Sequence, residues 1–140
     1  MFSLERFKEL KANVKHRDDF PVFVQALKKT GISYFETFLE DGHADYYTND
    51  GIKVSTAREY AGISLAEKSD NELLEKSIQL FQKDDIDYLT FCNSCAKSGV
   101  EKWVVSMGEM SCSYHNKEGD IMFVETIATP SCKYKKIKPY

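Results

Sequence analysis

A self-similarity at an offset of 68 residues restricts the fold of this 140-residue chain more than any other feature of its sequence. Without a gap, residues 19–54 lie over residues 87–122, and six positions are identical in the two segments. The identical pairs are Asp19/Asp87, Phe23/Phe91, Lys29/Lys97, Gly31/Gly99, Tyr46/Tyr114 and Gly51/Gly119. Because repeated segments fold as the same structural unit, the pattern predicts an internal duplication within a single domain over residues 1–140, with halves at about 1–66 and 67–140.

The identical residues stand where secondary structure is expected to begin, end or turn. Asp19 and Asp87 precede helical apolar patterns, where an N-cap carboxylate accepts hydrogen bonds from free backbone N–H groups. Gly31 and Gly99 follow those patterns, and glycine readily takes the left-handed conformation that ends a helix. The third glycine pair lies in short turns between strand-like runs. The two halves are therefore expected to share one order of elements.

Each half is predicted to contain two helices followed by a three-stranded antiparallel meander. The six predicted strands are 32–39, 43–48, 52–56, 100–107, 111–116 and 120–127. Further strands are expected at 61–66 and 132–138, and Ser69 with Glu72 has the spacing of a capping box at a helix start. Helices and strands joined by hairpin-length connections favour an α+β fold, in which an antiparallel sheet has helices packed on one face.

Charge and hydropathy argue against several classes of partner. The net charge is −3 and the pI is about 5.6, so the chain lacks the basic surface of a nucleic-acid-binding protein. The lysines between residues 133 and 138 are interpreted as a solvated strand edge. No apolar run reaches the roughly 18 residues of a membrane span, and the N-terminus lacks the apolar core of a signal peptide. We therefore expect a cytoplasmic protein with no nucleic-acid and no membrane partner.

Two cysteines in the stretch TFCNSCAK have a spacing that also occurs in metal and redox sites. At the 68-residue offset, apolar residues of the first half correspond to cysteines of the second: Val24 to Cys92, Leu27 to Cys95 and Ala44 to Cys112. Because buried free cysteine behaves as a small apolar side chain, the sequence predicts core packing and no cofactor. The alternatives are a redox pair and a zinc site completed by Cys132.

Strand alternation separates the two faces of the predicted sheet. The more apolar face is expected to pack on the helices; it carries Phe35, Thr37, Leu39, Ala44 and Tyr46 in the first half and Trp103, Val105, Met107, Cys112 and Tyr114 in the second. The other face of the first half carries six candidate ligand-binding residues: Tyr34, Glu36, Phe38, His43, Asp45 and Tyr47. The same face of the second half carries Lys102, Val104, Ser106, Ser111, Ser113 and His115.

The principal functional hypothesis is a non-catalytic module that binds a small molecule or a protein through this uncovered face, with a homodimer as one form of that binding. Pseudo-symmetric halves often create a groove at their junction, which would serve as such a site. The alternative is an enzyme in which His43 is the general base and Asp45 or Glu36 orients it. Histidine, carboxylates and tyrosines are the groups that acid–base catalysis uses.

The stretches FPVFVQALKKTGISYFETFLEDGHADYYTNDG and TFCNSCAKSGVEKWVVSMGEMSCSYHNKEG resemble a family of small bacterial proteins of unknown function, some of which are named phage envelope protein. The resemblance covers about residues 18–127 and includes the order of the two halves. It implies a self-contained α+β domain and supplies no catalytic residues. A prophage-encoded structural or accessory protein is therefore a third hypothesis.

Overall fold

The computed structural model describes residues 4–12, 19–60 and 62–127, which contain four helices and six strands. The first half contains α1 (Leu4–Ala12), α2 (Phe20–Lys29), β1 (Ile32–Phe38), β2 (Ala44–Thr48) and β3 (Lys53–Ser55). The second half contains α3 (Asn71–Gln82), α4 (Tyr88–Lys97), β4 (Val100–Ser106), β5 (Ser111–Asn116) and β6 (Ile121–Thr126). The order of elements is the same in both halves. None of the helices in these ranges is long and apolar enough to cross a membrane.

The six strands form one sheet in the order β3-β2-β1-β4-β5-β6, and every neighbouring pair is antiparallel. Each half contributes three adjacent strands, and the central pair of β1 and β4 joins the halves. An antiparallel sheet combined with helices in this way is the α+β fold that the sequence predicts.

The central strands β1 and β4 are aligned symmetrically. Glu36 lies opposite Val104, a residue 68 positions further along the chain, and the flanking partners are arranged equally about this pair. Each strand also has one register shift, between residues 32 and 34 in β1 and between residues 100 and 102 in β4. The register thus relates the halves by an approximate two-fold axis through the centre of the sheet. The duplication that would explain this axis stays a prediction.

Glycine ends both helices that precede the central strands. Gly31 and Gly99 have φ angles of +96° and +93°, and their N–H groups donate to carbonyls of the last helical turn. At the start of α4, the Asp87 carboxylate accepts a hydrogen bond of 2.8 Å from the Thr90 N–H. Asp19 occupies the equivalent position before α2, but its side chain makes no capping bond there. The predicted cap is therefore formed in the second half only.

The strand predicted at 61–66 is wrong for residues 62–66, which form no strand. The Ile63 N–H donates to the Glu40 carbonyl at 2.8 Å, whereas the Ala66 N–H donates to the Ala96 carbonyl at 2.9 Å. Because the two bonds reach different parts of the fold, no ladder with a single neighbour forms. Residue 61 and the strand predicted at 132–138 lie outside the described residues.

The capping box predicted at the start of α3 is also wrong. The helix begins one residue later than that motif requires, with Asp70 as its N-cap. The Asp70 carboxylate accepts a hydrogen bond of 3.1 Å from the Leu73 N–H. The Ser69 hydroxyl instead accepts a bond of 3.0 Å from the side-chain amide of Asn116, at the end of β5. Ser69 therefore links the helix start to the sheet.

The core lies between the helices and one face of the sheet. Every residue of the predicted apolar face is buried, with at most 9% of its surface exposed. Leu27, Leu74 and Phe91 from the helices belong to the same apolar cluster. On the opposite face, the alternating residues of β1, β2, β4 and β5 are mostly half-buried. We call this second surface the open face.

Three cysteines are part of the core. Cys92 and Cys95 lie in the middle of α4 and Cys112 lies on β5, and all three are buried as predicted. Burial raises the pKa of the Cys95 and Cys112 thiols well above their usual value, which disfavours the thiolate. Cys132 lies outside the described residues.

Candidate functional site

The six candidate residues of the first half lie together on the open face. Tyr34 and Tyr47, on the neighbouring strands β1 and β2, stack with ring centroids 4.4 Å apart. Phe38 stacks in the same way on His43, with centroids 4.6 Å apart. The structure therefore forms the predicted grouping; that the grouping binds a ligand stays a prediction.

The two acidic candidates are each bonded to a neighbouring strand. Glu36 accepts a hydrogen bond of 2.9 Å from the Lys102 ammonium on β4, and this bond raises the pKa of Lys102. Asp45 accepts a bond of 2.7 Å from the Ser55 hydroxyl on β3. Desolvation, and then the negative charges of these two carboxylates, raise the pKa of Tyr47. The polar groups of the open face thus largely satisfy one another.

His43 is paired with a different carboxylate from those predicted. Its Nδ1 atom lies 2.6 Å from Oδ1 of Asp41, and the same oxygen accepts a bond of 3.0 Å from the His43 backbone N–H. Desolvation acts to raise the pKa of Asp41, but the hydrogen bonds and positive charge of His43, together with Arg58, lower it overall. Orientation of His43 by Asp45 or Glu36 is therefore wrong, because both carboxylates are bonded across the sheet and the Asp41 carboxylate lies within hydrogen-bonding distance of the imidazole.

A cavity of about 820 Å³ lies on the opposite side of the sheet, among the helices. Its lining comes from all the strands except β3, from α2, α3 and α4, and from the connection at residues 84–87. None of the six candidate residues of the open face is among the described residues that line the cavity. A volume of several hundred Å³ is typical of sites for small molecules.

Aromatic side chains form much of the cavity surface. Nine of the described residues that line it are aromatic. The Trp103 ring centroid lies 5.8 Å from that of Tyr114, 5.9 Å from that of Phe91 and 6.3 Å from that of Tyr88. Trp103 was predicted to serve core packing; the structure buries it but also places it at the cavity wall.

The cavity spans the approximate two-fold axis. Five pairs of its lining residues are separated by 68 positions: Phe20/Tyr88, Phe23/Phe91, Phe35/Trp103, Ala44/Cys112 and Tyr46/Tyr114. Each half therefore contributes an equivalent set of side chains. The described lining thus comes from both halves and lies on the helix side of the sheet.

Charge is distributed unequally around the cavity. Five acidic residues contribute to its described lining: Glu59, Asp84, Asp85, Asp87 and Glu125. The described lining contains no lysine, arginine or histidine. Three of the acids belong to the connection between α3 and α4. The other two acids, Glu59 and Glu125, come from different parts of the fold.

Few polar groups lie inside the cavity. Glu125 accepts hydrogen bonds from the Tyr114 hydroxyl and, at 3.1 Å, from the side-chain amide of Gln82. Burial raises the pKa of Tyr114, so its hydroxyl stays neutral and remains a donor. Thr37 is only 9% exposed, and no residue in the described part of the chain hydrogen-bonds to its hydroxyl. Thr37 thus offers a buried hydrogen-bonding group at the cavity wall.

The remaining histidines do not suggest a metal centre. Across residues 4–12, 19–60 and 62–127, no group of three histidine, cysteine, aspartate or glutamate residues is placed to hold a metal ion. On the open face, Nε2 of His115 lies 3.0 Å from the Ser113 hydroxyl. His16 lies outside the described residues.

Reasoning from the sequence assigns the cavity residues to the core and so misses this site. Strand alternation correctly predicts that Phe35, Tyr46 and Trp103 face the helices. Alternation cannot show whether the helices close completely over these side chains. The available signal is the repetition of large aromatic residues at equivalent positions of both halves, because such pairs meet where the halves join.

The family to which the chain belongs is established by comparison with known proteins. Residues 8–126 match the model of a family described as Protein of unknown function (DUF1398). The chain is also 20% identical, over 123 residues, to the Uncharacterized protein YbcV of Escherichia coli (strain K12), with 86% of this chain and 89% of that protein covered. Both results agree with the predicted resemblance to a family of unknown function. Since the family match spans both halves of the fold, this protein belongs to the DUF1398 family.

Proposed function

We propose that this protein is a small-molecule-binding module whose site is the cavity between the helices and the sheet. The observation that supports the proposal best is an aromatic-lined space of about 820 Å³ in a small fold. Protein interiors are close-packed, with few voids larger than a water molecule. An organic ligand would cover the part of the aromatic wall that remains accessible and would gain the free energy of removing it from water.

The proposal transfers the binding site from the open face to the cavity. On the open face, Glu36 and Asp45 are bonded to neighbouring strands and the aromatic rings stack on one another. The cavity instead combines an apolar wall with a few polar groups, notably Thr37 and Glu125. This composition is usual for small-molecule sites, where few polar groups fix the orientation of the ligand.

Binding without catalysis agrees with the chemistry of the cavity wall. Burial raises the pKa of the Cys112 thiol and of the Tyr46 and Tyr114 hydroxyls. These groups therefore stay protonated near neutral pH and are weak nucleophiles and bases. General-base catalysis by His43, a homodimer and a prophage-encoded structural or accessory role stay predictions.

The proposal is tested by titrating the full chain with N-phenyl-1-naphthylamine, a neutral dye whose fluorescence increases in apolar sites. We expect saturable binding of one dye per chain. Binding should also change the emission of Trp103, the single tryptophan, because its ring lies at the cavity wall. The variant Ala44→Leu adds apolar volume inside the cavity and should lower the affinity by at least about tenfold, equivalent to about 1.4 kcal/mol.

The matched control is Ala57→Leu, the same substitution at an exposed position between β3 and α3. It should bind the dye as the unchanged protein does. Equal binding by the two variants would show that the dye occupies another surface and would overturn the proposal. Retention of the fold in both variants is checked by circular dichroism and thermal unfolding.

A further inference from the structure

Five acidic residues and no basic residue contribute to the described lining of the cavity. A negative rim around a space of low dielectric attracts cations and repels anions, because the field is concentrated in a cleft with apolar walls. The charges of the described lining therefore favour a ligand with positive charge over an anionic ligand.

The aromatic wall favours the same sign of charge. The faces of aromatic rings carry partial negative charge and attract organic cations, most strongly when the site is shielded from water. Trp103, the ring type that binds cations best, lies among Tyr88, Phe91 and Tyr114 with centroid separations of 5.8 to 6.3 Å. This cluster adjoins the acidic connection, since Tyr88 directly follows Asp87 in the chain.

The start of α4 does not reverse this preference. A free helix N-terminus attracts anions, because its N–H groups point outward without partners. Here the Asp87 carboxylate already accepts the Thr90 N–H at 2.8 Å and places a full negative charge at that end. The rim of the cavity therefore remains negative where the helix begins.

Resting on the proposed binding function, we infer that the ligand of this cavity is an amphipathic organic cation: an aromatic or other apolar body that carries one ammonium group. The apolar body lies against the ring pairs on the two-fold axis. The ammonium group points toward the connection between α3 and α4, which carries Asp84, Asp85 and Asp87. Thr37 offers a hydrogen bond near the middle of the sheet.

Three probes with the same aromatic body test the charge preference: (2-naphthylmethyl)trimethylammonium, 2-naphthylmethanol and 2-naphthylmethanesulfonate. Their affinities for the full chain are measured by isothermal titration calorimetry. We expect the cation to bind about tenfold more tightly than the neutral probe, the effect of one desolvated cation–aromatic contact. The anion should bind more weakly than both. Added salt should weaken the binding of the cation and leave that of the neutral probe nearly unchanged.

The double variant Asp84→Asn/Asp85→Asn removes two rim charges and keeps the side-chain shapes. Asn also tolerates the positive φ of 61° at Asp84. The affinity for the cation should fall about fivefold, as expected for two partly exposed charge contacts. The affinity for the neutral probe should not change. The control Asp50→Asn/Glu118→Gln removes two charges from exposed turns of the sheet and should alter neither value.

The outcomes separate the inference from the proposed function. If the neutral and anionic probes bind as tightly as the cation, and Ala44→Leu weakens all three, the cavity binds ligands but the inferred charge preference is overturned. An equal loss of affinity for all three probes in the Asp84/Asp85 variant would also overturn the inference, since that result would indicate a change in the shape of the cavity. If none of the probes binds in a manner sensitive to Ala44→Leu, the proposed function itself fails.

Discussion

Gly31 and Gly99 occupy equivalent positions at the ends of α2 and α4, but their surroundings differ. Both have positive φ angles, which an L-residue with a side chain adopts only at a cost. Apart from its chain neighbours, no described residue would have a heavy atom within 4 Å of a Cβ atom at Gly31, whereas a Cβ atom at Gly99 would lie 2.7 Å from the Lys68 carbonyl oxygen. The backbone before α3 therefore packs directly against Gly99.

We expect Gly31→Ala to lower the free energy of unfolding by about 1 to 2 kcal/mol, the usual cost of the left-handed conformation. Gly99→Ala should cost more than that, because a rigid backbone carbonyl must also move. Urea unfolding followed by Trp103 fluorescence measures both values. Since the two substitutions are chemically identical, each is the control for the other, and equal losses would contradict the packing described at Gly99.

The pair formed by Asp41 and His43 makes stability depend on acid pH. The pKa of Asp41 in the folded protein lies below the usual value for an aspartate, so the unfolded chain binds the proton more readily. Its contribution is present above the unfolded pKa and is lost as the pH falls through the folded pKa. Compared with Asp41→Asn, the unchanged protein should be more stable at about pH 5 and lose that advantage toward about pH 2.

The expected difference is below about 1 kcal/mol, because both side chains are partly exposed to water. Urea unfolding at several pH values measures it. Asp50→Asn, in the exposed turn between β2 and β3, controls for the loss of one negative charge. A difference between the unchanged protein and Asp41→Asn that stays constant over this pH range would rule out the described role of Asp41.

At the scale of single elements, the sequence pattern and the structure assign different N-cap residues to α3, and this difference can be tested. The capping box would make Glu72 a partner of the helix start, whereas the structure assigns the capping bond to Asp70. Asp70→Ala should therefore lower the free energy of unfolding by about 1 kcal/mol. Glu72→Ala, at an exposed position of the first turn, should change it by less than about 0.5 kcal/mol.

Chemical denaturation of the two variants measures both values, and the comparison does not depend on the absolute stability of the protein. A larger loss for Glu72→Ala than for Asp70→Ala would support the capping box and contradict the helix start described above.

The strands were predictable because two independent signals agree. Alternation of buried and half-buried side chains marks most of β1, β4 and β5, and turn glycines such as Gly51 and Gly119 mark where a meander reverses. The same apolar pattern misleads at residues 62–66. There Ile63 and Leu65 pack against the core from an irregular segment whose N–H groups bond to different elements. Apolar spacing reports burial, but it does not report the hydrogen-bond partner that makes a strand.

For the whole molecule, the sequence indicates which side of the sheet is covered but not how completely. The sequence correctly predicts an α+β fold and one order of elements in the two halves, and alternation correctly places Tyr46 and Trp103 toward the helices. The cavity depends on the distance between the helices of the two halves, which neither periodicity nor composition determines. The candidate residues were therefore predicted on the face whose residues alternate with the core, whereas the proposed binding site is the cavity on the helix side of the sheet.

The approximate two-fold axis through Glu36 and Val104 also affects which ligands this protein can recognise. If the halves were identical chains, the same residue would face itself across the axis, and two glutamates there would repel each other. Because the halves are joined in one chain, the second can place valine opposite Glu36, and Lys102 can pair with that carboxylate. Covalent linkage likewise permits the halves to differ in charge, since Asp84 and Asp85 correspond to His16 and Arg17 in the sequence of the first half. A site on an approximate two-fold axis, with different residues on its two sides, can then distinguish the two ends of a ligand. A site with exact two-fold symmetry cannot do so.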